Sequence, residues 1–267
     1  MLVTVTPVQA AVLGAVQGFT EFLPVSSSAH LYVIPTLLGW PYAGVAFDVA
    51  LHWGTLLALL LAFGRDWIDL ARRAVAGKGE ERSNAIGLLA RIVIASIPAA
   101  IVGVLLQDAV ETKLRSLPLQ AVMLAVFGAA LWAADRFSRQ TEHTDAPGWG
   151  AALGIGLAQA LALVPGVSRS GITITAGRLA RLDRVSAARF SFLLAMPITF
   201  GAGLLELRHL PKDLPVMTLA IGVVVSALTG LLAIRGLLRW LGRAGLGAFF
   251  VYRLGLAILI LARFRNA

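Results

Sequence analysis

The chain has no cysteine and few charged residues among its 267 residues. Without cysteine it cannot form disulfides, haem thioethers or thiolate metal sites. Charged residues make up 14% of the chain, whereas an ordinary soluble domain carries about 25%. The first ten residues contain no Lys or Arg, which argues against the positively charged n-region of a signal peptide. The shortage of charge excludes an ordinary soluble domain.

Apolar residues take the place of the missing charge, at 58% of the chain with a mean hydropathy of +0.82. The apolar runs are long and unbroken, which favours transmembrane helices over the short alternating strands of a barrel. The net charge of +9 indicates arginines in cytoplasmic loops, because no aromatic-interleaved basic surface suited to RNA is present. We therefore predict an all-α integral membrane protein with one polytopic domain, 1–267, and no nucleic-acid partner.

Two polar stretches interrupt this apolar pattern, at 17–30 and 165–173. The apolar segments that flank them are too short to cross a bilayer, which needs about 20 residues. We interpret each as a re-entrant pair of half-helices, since polar groups at membrane depth must face protein or a water-filled cavity. About six full spans remain, predicted at 43–64, 85–106, 118–134, 185–205, 214–234 and 246–261.

Arginine-rich segments set the predicted orientation of these spans. They lie at 65–84, 136–139, 178–189 and 235–243, and placing all four in the cytoplasm lets the spans alternate without conflict. The first broken pair then enters the membrane from outside, and the second enters from the cytoplasm. Two half-helix hairpins that enter from opposite faces can meet near the midplane.

The two polar stretches also resemble each other in sequence. A shift of 142 residues superimposes five identical residues of the two stretches and the helices before them, namely Gly14 on Gly156, Gln17 on Gln159, Val25 on Val167, Ser26 on Ser168 and Ser28 on Ser170. Self-similarity with opposite entry sides is typical of an inverted-topology repeat, with its site where the broken helices meet. We predict repeat halves 1–137 and 148–267, joined by a polar linker.

The first polar stretch carries a possible metal or acid–base site. Gln17 and Glu21 are four residues apart and share a helix face, where they could hold a hard divalent cation, orient a water, or form a polar packing pair. His30 lies one turn after Ser26 and Ser27, on the same helix face. It could be a nucleophile, a base for a serine, or a packed, hydrogen-bonded ring.

Helix N-termini favour an anion at both stretches. Three consecutive serines open the half-helix after Pro24, where hydroxyls can cap the helix or join its free N–H groups in binding an anion. Arg169 stands between Ser168 and Ser170 at the other break, and Thr173 follows one turn later. A guanidinium beside free amides suits a phosphate, and the alternative is an arginine that extends to the membrane surface.

Three further polar residues lie inside predicted spans. Asp48 is either a pocket carboxylate or an interfacial cap, and His52 is interpreted as packing. Arg253, within the last span, is expected to form a structural ion pair. The chain has no Walker loop, so nothing indicates that ATP drives its activity.

Both polar stretches resemble the signatures of one family, the bacterial undecaprenyl-diphosphatases associated with bacitracin resistance. Residues 17–31 resemble its first signature, and 165–173 its second, PGxSRSGxT. The resemblance covers essentially the whole chain, including its length and the order of its spans. It implies removal of the terminal phosphate from undecaprenyl diphosphate, with Mg²⁺ or Ca²⁺ as cofactor, so that the lipid carrier is recycled for cell-wall synthesis.

The resemblance also implies roles for single residues. Glu21 would serve the metal or a water, Ser27 or His30 would be the nucleophile or base, and Arg169 would hold the diphosphate. The remaining members of the phosphate pocket would be Gln17, Ser26, Ser168, Ser170 and Thr173. The expected location is the bacterial inner membrane, multi-pass, with the pocket open to the periplasm and membrane lipids around it.

Two other classes of function are compatible with the same residues. An inverted repeat with broken helices at the midplane is also transporter architecture, so the chain could carry the lipid across the membrane. A structural or partner-binding membrane protein is the third interpretation, and it predicts that Glu21 and Arg169 are dispensable. The sequence leaves the oligomeric state open, with a homodimer as one alternative.

Overall fold

A computed structural model describes residues 5–112, 114–140, 142–206 and 215–264. Within these ranges the chain forms ten α-helices and no β-strand, apart from an isolated bridge between Glu142 and Leu182. In chain order the helices are α1 Pro7–Phe22, α2 Ser27–Leu37, α3 Val45–Ala76, α4 Gly79–Thr112, α5 Leu117–Phe137, α6 Trp149–Ala160, α7 Arg169–Leu179, α8 Arg184–Glu206, α9 Val216–Leu241 and α10 Gly247–Arg263.

Five of these helices, α3, α4, α5, α8 and α9, are long and apolar enough to cross a membrane. Each contains or nearly coincides with one of the predicted spans. The sixth predicted span, 246–261, corresponds to α10, which has 17 residues. These observations confirm the prediction of an all-α integral membrane protein.

Two of the predicted loops are largely helical. Residues 65–84 were expected to be a polar connection, but α3 continues to Ala76 and α4 begins at Gly79. Helix α9 likewise continues through Arg235 and Arg239 to Leu241. The expectation was wrong because the loss of apolar character marks where a helix leaves the bilayer, whereas Arg, Glu and Ala remain good helix formers in water.

Four helices are too short to span a bilayer. Helices α2 and α7 have 11 residues each, α6 has 12 before a 3₁₀ turn at Leu161–Leu163, and α1 has 16. An 11-residue helix is about 16 Å long, roughly half the thickness of the hydrocarbon core. The short helices occur in two consecutive pairs, α1–α2 and α6–α7, at the two predicted polar breaks.

The two breaks share an unusual backbone conformation. Ser26 precedes α2 with φ 75° and ψ 94°, and Ser168 precedes α7 with φ 74° and ψ 116°. Positive φ is strained for a residue with a side chain, and such residues cluster at functional sites. The two serines are the pair that the 142-residue shift aligns. This agreement supports the repeat, and the boundaries of its halves stay a prediction.

Close helix packing holds both hairpins in place. Helix α1 packs on α9, where a methyl group at Gly14 would lie 2.4 Å from the carbonyl oxygen of Gly222. Helix α6 packs on α4, where a methyl group at Gly156 would lie 2.5 Å from the carbonyl oxygen of Ala95. No Cβ fits at either distance, so only glycine permits these contacts. The two glycines are also 142 residues apart.

Buried ion pairs join the elements that surround the linker. Arg178 is fully buried, and its Nε lies 3.2 Å from Oδ1 of Asp135, which also accepts from Nε of Arg184 at 2.7 Å. Asp183 caps the start of α8 by accepting from the N–H groups of Val185 and Ser186. Partial burial alone would raise the pKa of Asp183, but its hydrogen bonds outweigh burial and lower it.

Candidate active site

The tips of the two hairpins meet at a buried ion pair. Glu21 is the penultimate residue of α1, and Arg169 is the first residue of α7. Nη2 of Arg169 lies 2.5 Å from Oε1 of Glu21, and the side chains are only 14% and 7% exposed. The structure therefore brings together the two residues that were predicted to hold the metal or water and the diphosphate.

Ser27 is the third member of this group. It is the first residue of α2, and its Oγ donates a hydrogen bond to Oε2 of Glu21 at 2.6 Å. The side-chain amide of Gln17, one turn earlier on α1, donates to the same oxygen at 3.2 Å. A hydroxyl that donates to a carboxylate is arranged as a nucleophile with its general base.

Glu21, Ser27 and Arg169 line a cavity of about 230 Å³, and Gln17 contacts Glu21 from outside that lining. Both hairpins contribute polar groups to its lining, and α4, α8 and the 3₁₀ turn contribute apolar side chains. The polar lining consists of Glu21, Ser26, Ser27, Ser28, His52, Gln159, Ser168, Arg169 and Thr199. Hydroxyls, one carboxylate and one guanidinium in one cavity form a site for a small anionic group.

An apolar groove of about 300 Å³ adjoins the cavity. Four residues line both spaces: Ala99, Leu163, Ile198 and Ala202. Arg115 is the charged residue in the lining of the groove, whose other members are apolar. A polar cavity that continues into an apolar groove suits a ligand with an anionic head and a hydrocarbon tail.

Residues 10–259 match the family model described as Bacitracin resistance protein BacA. The chain belongs to this family. It is 45% identical over 262 residues to an undecaprenyl-diphosphatase of Desulforudis audaxviator, covering 97% of this chain and 99% of the relative. It is 47% identical over 259 residues to an undecaprenyl-diphosphatase of Moorella thermoacetica, covering 97% and 98%. The family resemblance of the two signatures is confirmed.

In this BacA-family chain His30 lies outside the lining of the cavity. Its Nδ1 donates to the carbonyl oxygen of Ser26 at 2.7 Å, and its Nε2 lies 2.7 Å from the hydroxyl of Tyr252. The two rings are stacked, and His30 is only 4% exposed. Both ring nitrogens therefore have a hydrogen-bond partner, and the bond to the carbonyl oxygen holds the strained Ser26 in position.

The predicted hydroxyls at the second break divide into two groups. Ser168 faces the cavity, and its Oγ accepts from the N–H of Gly171 at 3.2 Å as a helix cap. Ser170 donates to the carbonyl oxygen of Leu23 at 3.1 Å and so ties α7 to the tip of α1. Thr173 lies 2.6 Å from Oγ of Ser191. Ser170 and Thr173 thus support the site from outside the cavity lining.

The structure adds His52 to the site, although the sequence indicated only packing. Its Nε2 lies 3.5 Å from Oε2 of Glu21, and its Nδ1 donates to the carbonyl oxygen of Asp48 at 2.8 Å. No local motif marks His52, because it reaches the site from the N-terminal quarter of α3, outside both polar stretches. The carboxylate of Asp48 is outside the cavity lining and accepts instead from the hydroxyl of Tyr42, which also contacts Arg115.

The oxygen atoms of the site suit a hard divalent cation whose remaining ligands come from a substrate. The part of the chain that the structure describes has no cluster of three His, Cys, Asp or Glu side chains. Glu21 supplies one carboxylate, and the buried Oε1 atoms of Gln17 and Gln159 have no hydrogen-bond partner among the described residues. Mg²⁺ is often held by one or two carboxylates together with substrate phosphates. The residues present therefore fit such an ion.

Proposed function

We infer that this chain hydrolyses undecaprenyl diphosphate to undecaprenyl phosphate and inorganic phosphate. The observation that carries the inference is the contact of Ser27 and Arg169 with the two oxygens of Glu21 inside the cavity. A nucleophile, a base and a phosphate-binding cation are thereby assembled at one point. The relatives that share 45–47% of the sequence are named undecaprenyl-diphosphatase.

The polar headgroup and apolar tail of the substrate match the polar cavity and the apolar groove beside it. The diphosphate enters the polar cavity, and the first part of the prenyl tail occupies the apolar groove between α4 and α8. Arg169 binds phosphate oxygens through its guanidinium, which leaves Oε1 of Glu21 when the anion arrives. The N-termini of α2 and α7 add free N–H groups and the positive ends of two helix dipoles.

Ser27 performs the nucleophilic step in our mechanism. Its Oγ attacks the terminal phosphorus while its proton passes to Glu21, 2.6 Å away. The bond from that phosphorus to the bridging oxygen breaks, and undecaprenyl phosphate leaves with the proton that Glu21 gives up. A water then attacks the phosphorus of the phosphoserine while its proton passes to Glu21. The bond from the phosphorus to Oγ breaks, Glu21 returns the proton to Oγ of Ser27, and inorganic phosphate is released. His30 supports this step by holding the backbone of Ser26, the residue before the nucleophile.

A divalent cation, Mg²⁺ or Ca²⁺, is part of the proposal. Glu21 and the amide oxygens of Gln17 and Gln159 would hold it together with the phosphates. When bound, such an ion neutralises charge on phosphate oxygens in the transition state. Arg169 and the helix N-termini supply the remaining positive potential from the protein itself.

The charge distribution supports a location in the bacterial inner membrane with the site facing the periplasm. The arginine-rich segments join one set of helix ends, and the positive-inside rule places those ends in the cytoplasm. The first hairpin then enters from the periplasm. Periplasmic phosphate release from intact cells, compared with inverted vesicles, tests this orientation.

Phosphate release by the purified protein in detergent tests the function. Undecaprenyl diphosphate is supplied with Mg²⁺, Ca²⁺ or EDTA, beside Arg169→Ala and the exposed control Arg72→Ala. We expect metal-dependent release that Arg169→Ala abolishes and Arg72→Ala retains. A folded sample that releases no phosphate but moves a labelled lipid between leaflets would establish the transporter instead. Light scattering on the same sample distinguishes the monomer from the homodimer.

A further inference from the structure

Arg253 is a fully buried cation whose partners are backbone carbonyl groups. Among the described residues no carboxylate pairs with it, so the predicted ion pair is wrong. Its Nε, Nη1 and Nη2 donate instead to five carbonyl oxygens at 2.8 to 3.3 Å, those of Pro24, Met123, Leu124, Gly166 and Val167. A planar guanidinium with donors in a fixed fork can satisfy so many acceptors, whereas lysine cannot.

The carbonyl groups come from three places that the site depends on. Pro24 lies in the break between α1 and α2, two residues before Ser26. Gly166 and Val167 lie in the break before α7, immediately before Ser168. The remaining two acceptors belong to α5. The Arg253 side chain of α10 thus joins the breaks of both hairpins to helix α5.

Two glycines make room for this guanidinium. A methyl group at Gly171, in the first turn of α7, would lie 2.9 Å from Nη1 of Arg253. A methyl group at Gly128, on α5, would lie 3.3 Å from its Nε. The Arg253 side chain therefore fills a space between α5 and the N-terminal turn of α7, directly behind the residues that face the cavity.

Carbonyl dipoles solvate the guanidinium without cancelling its charge. Burying a charged group without a counter-ion is costly, and a protein retains one where it serves a function. Arg169 has Glu21 as its counter-ion in the structure, whereas Arg253 keeps its full positive charge behind both breaks. An anion in the cavity is therefore attracted by a charge that Glu21 does not offset.

We infer that Arg253 is a positioning residue of the phosphate site. It fixes the strained turns at Ser26 and Ser168, and with them the N-termini of α2 and α7 that receive the phosphates. The inference rests on the proposed function, because it assigns Arg253 to the binding and turnover of a phosphate group. Arg253 itself lies outside the cavity lining, so it acts through the two turns.

The test compares Arg253→Lys with Arg178→Lys. Arg178 is the matched control because it is also a fully buried arginine, but its guanidinium pairs with Asp135 away from the cavity. For Arg253→Lys we expect kcat with undecaprenyl diphosphate to fall by about 10²-fold, the loss that roughly 1 Å of misplacement causes. Arg178→Lys should lower the melting temperature and change kcat by less than about threefold.

A second readout separates this inference from the proposed function. Inorganic phosphate should raise the melting temperature of the wild type, and this shift should be lost in Arg253→Lys and kept in Arg178→Lys. A wild type that releases no phosphate from the lipid yet shows the shift would overturn the substrate assignment and leave the role of Arg253 standing.

Two results would overturn the role of Arg253. One is wild-type kcat and a wild-type phosphate shift in a folded Arg253→Lys protein. The other is an equal loss of kcat in both lysine variants, which would assign the effect to general destabilisation. Gly128→Ala gives an independent check if Arg253→Lys does not fold. Its added methyl group would lie 3.3 Å from Nε of Arg253 and touch no residue of the cavity lining. It shifts the guanidinium without removing the charge, so kcat should again fall while the protein remains folded.

Discussion

Glu21 contacts Arg169 at 2.5 Å although 148 residues separate them in the chain. Each residue lies at the end of a half-length helix, and neither helix could hold its charged side chain at membrane depth alone. The contact therefore gives each buried charge a counter-ion. In the proposed mechanism a bound diphosphate would compete with Glu21 for the guanidinium and so free a carboxylate oxygen for a water or a metal ion.

Glu21→Gln should abolish turnover while phosphate binding is retained. The amide cannot accept the proton of Ser27, so we expect kcat to fall by about 10² to 10⁴-fold, the contribution of general base catalysis. Arg169 loses its counter-ion, so the melting-temperature shift caused by inorganic phosphate should grow. Asp48→Asn is the control, since its carboxylate is buried but outside the cavity lining. A Glu21→Gln enzyme with near-normal kcat would rule out Glu21 as the base.

Ser27→Ala should eliminate the covalent intermediate. Rapid quenching with substrate labelled at the terminal phosphate should trap an acid-stable phosphoserine in the wild type and no label in Ser27→Ala. Ser28→Ala, which removes a neighbouring hydroxyl of the cavity, should still be labelled. An acid-labile, base-stable adduct would identify phosphohistidine and assign the nucleophile to His30. If Ser27→Ala keeps most of the activity, water attacks directly.

Tyr252→Phe and His30→Ala should differ in their effects. Among the described residues the hydroxyl of Tyr252 has one hydrogen-bond partner, Nε2 of His30. We therefore expect Tyr252→Phe to reduce kcat by less than about tenfold, the loss of one neutral hydrogen bond. His30→Ala removes the donor to the carbonyl oxygen of Ser26 and should lower kcat much further. Equal and total loss in both variants would indicate that the pair transfers protons during the reaction.

Gln159→Leu should weaken the response to metal. It removes a buried amide oxygen that has no partner in the described part of the chain, so more Mg²⁺ or Ca²⁺ should be needed for half-maximal activity. Gln159→Glu replaces that oxygen with a carboxylate and should shift the requirement to lower concentrations. The melting temperature of each variant is measured with and without metal. If the wild type, Gln159→Leu and Gln159→Glu need the same metal concentration, Gln159 does not hold the ion.

Asp183 should contribute stability that acid removes. Hydrogen bonds hold its pKa in the folded protein below the ordinary value, so its stabilisation is present above the unfolded pKa of about 3.9 and is lost as pH falls through the folded value. The melting temperature of Asp183→Asn should therefore lie below that of the wild type at pH 7, and the two should converge below about pH 4. Asp69→Asn, at an exposed site, serves as the comparison. A difference in melting temperature between Asp183→Asn and the wild type that stays constant with pH would contradict this role.

The sequence predicted the two breaks and most of the cavity because local chemistry marks them. Serines and an arginine within apolar segments are costly unless they face a site, so Ser27, Arg169 and Glu21 could be identified without coordinates. Sequence similarity at a spacing of 142 residues also predicted that Ser26 and Ser168 have matching roles. Their shared positive φ adds a backbone property that no side-chain pattern records.

The sequence did not reveal how residues of distant helices contact the site and its supporting turns. His52 and Arg253 each lie within an apolar helix outside the two polar stretches, and their partners are set by how α3 and α10 pack against the hairpins. The sequence indicated a packed ring and an ion pair, since periodicity cannot show which carbonyl groups another helix presents. His30 lies outside the cavity lining, and its role as nucleophile, base or support of the Ser26 backbone stays a prediction.

The apolar groove beside the cavity determines how the enzyme encounters its substrate. Because residues of α3, α4 and α8 line the groove, and these helices are long and apolar enough to cross a membrane, we expect a prenyl chain to reach the site sideways from the hydrocarbon layer, without first dissolving in water. The quantity that controls the rate is then the mole fraction of undecaprenyl diphosphate in the membrane or micelle. Adding inert detergent at constant total substrate should slow turnover by surface dilution, as it does for enzymes whose reaction space is two-dimensional.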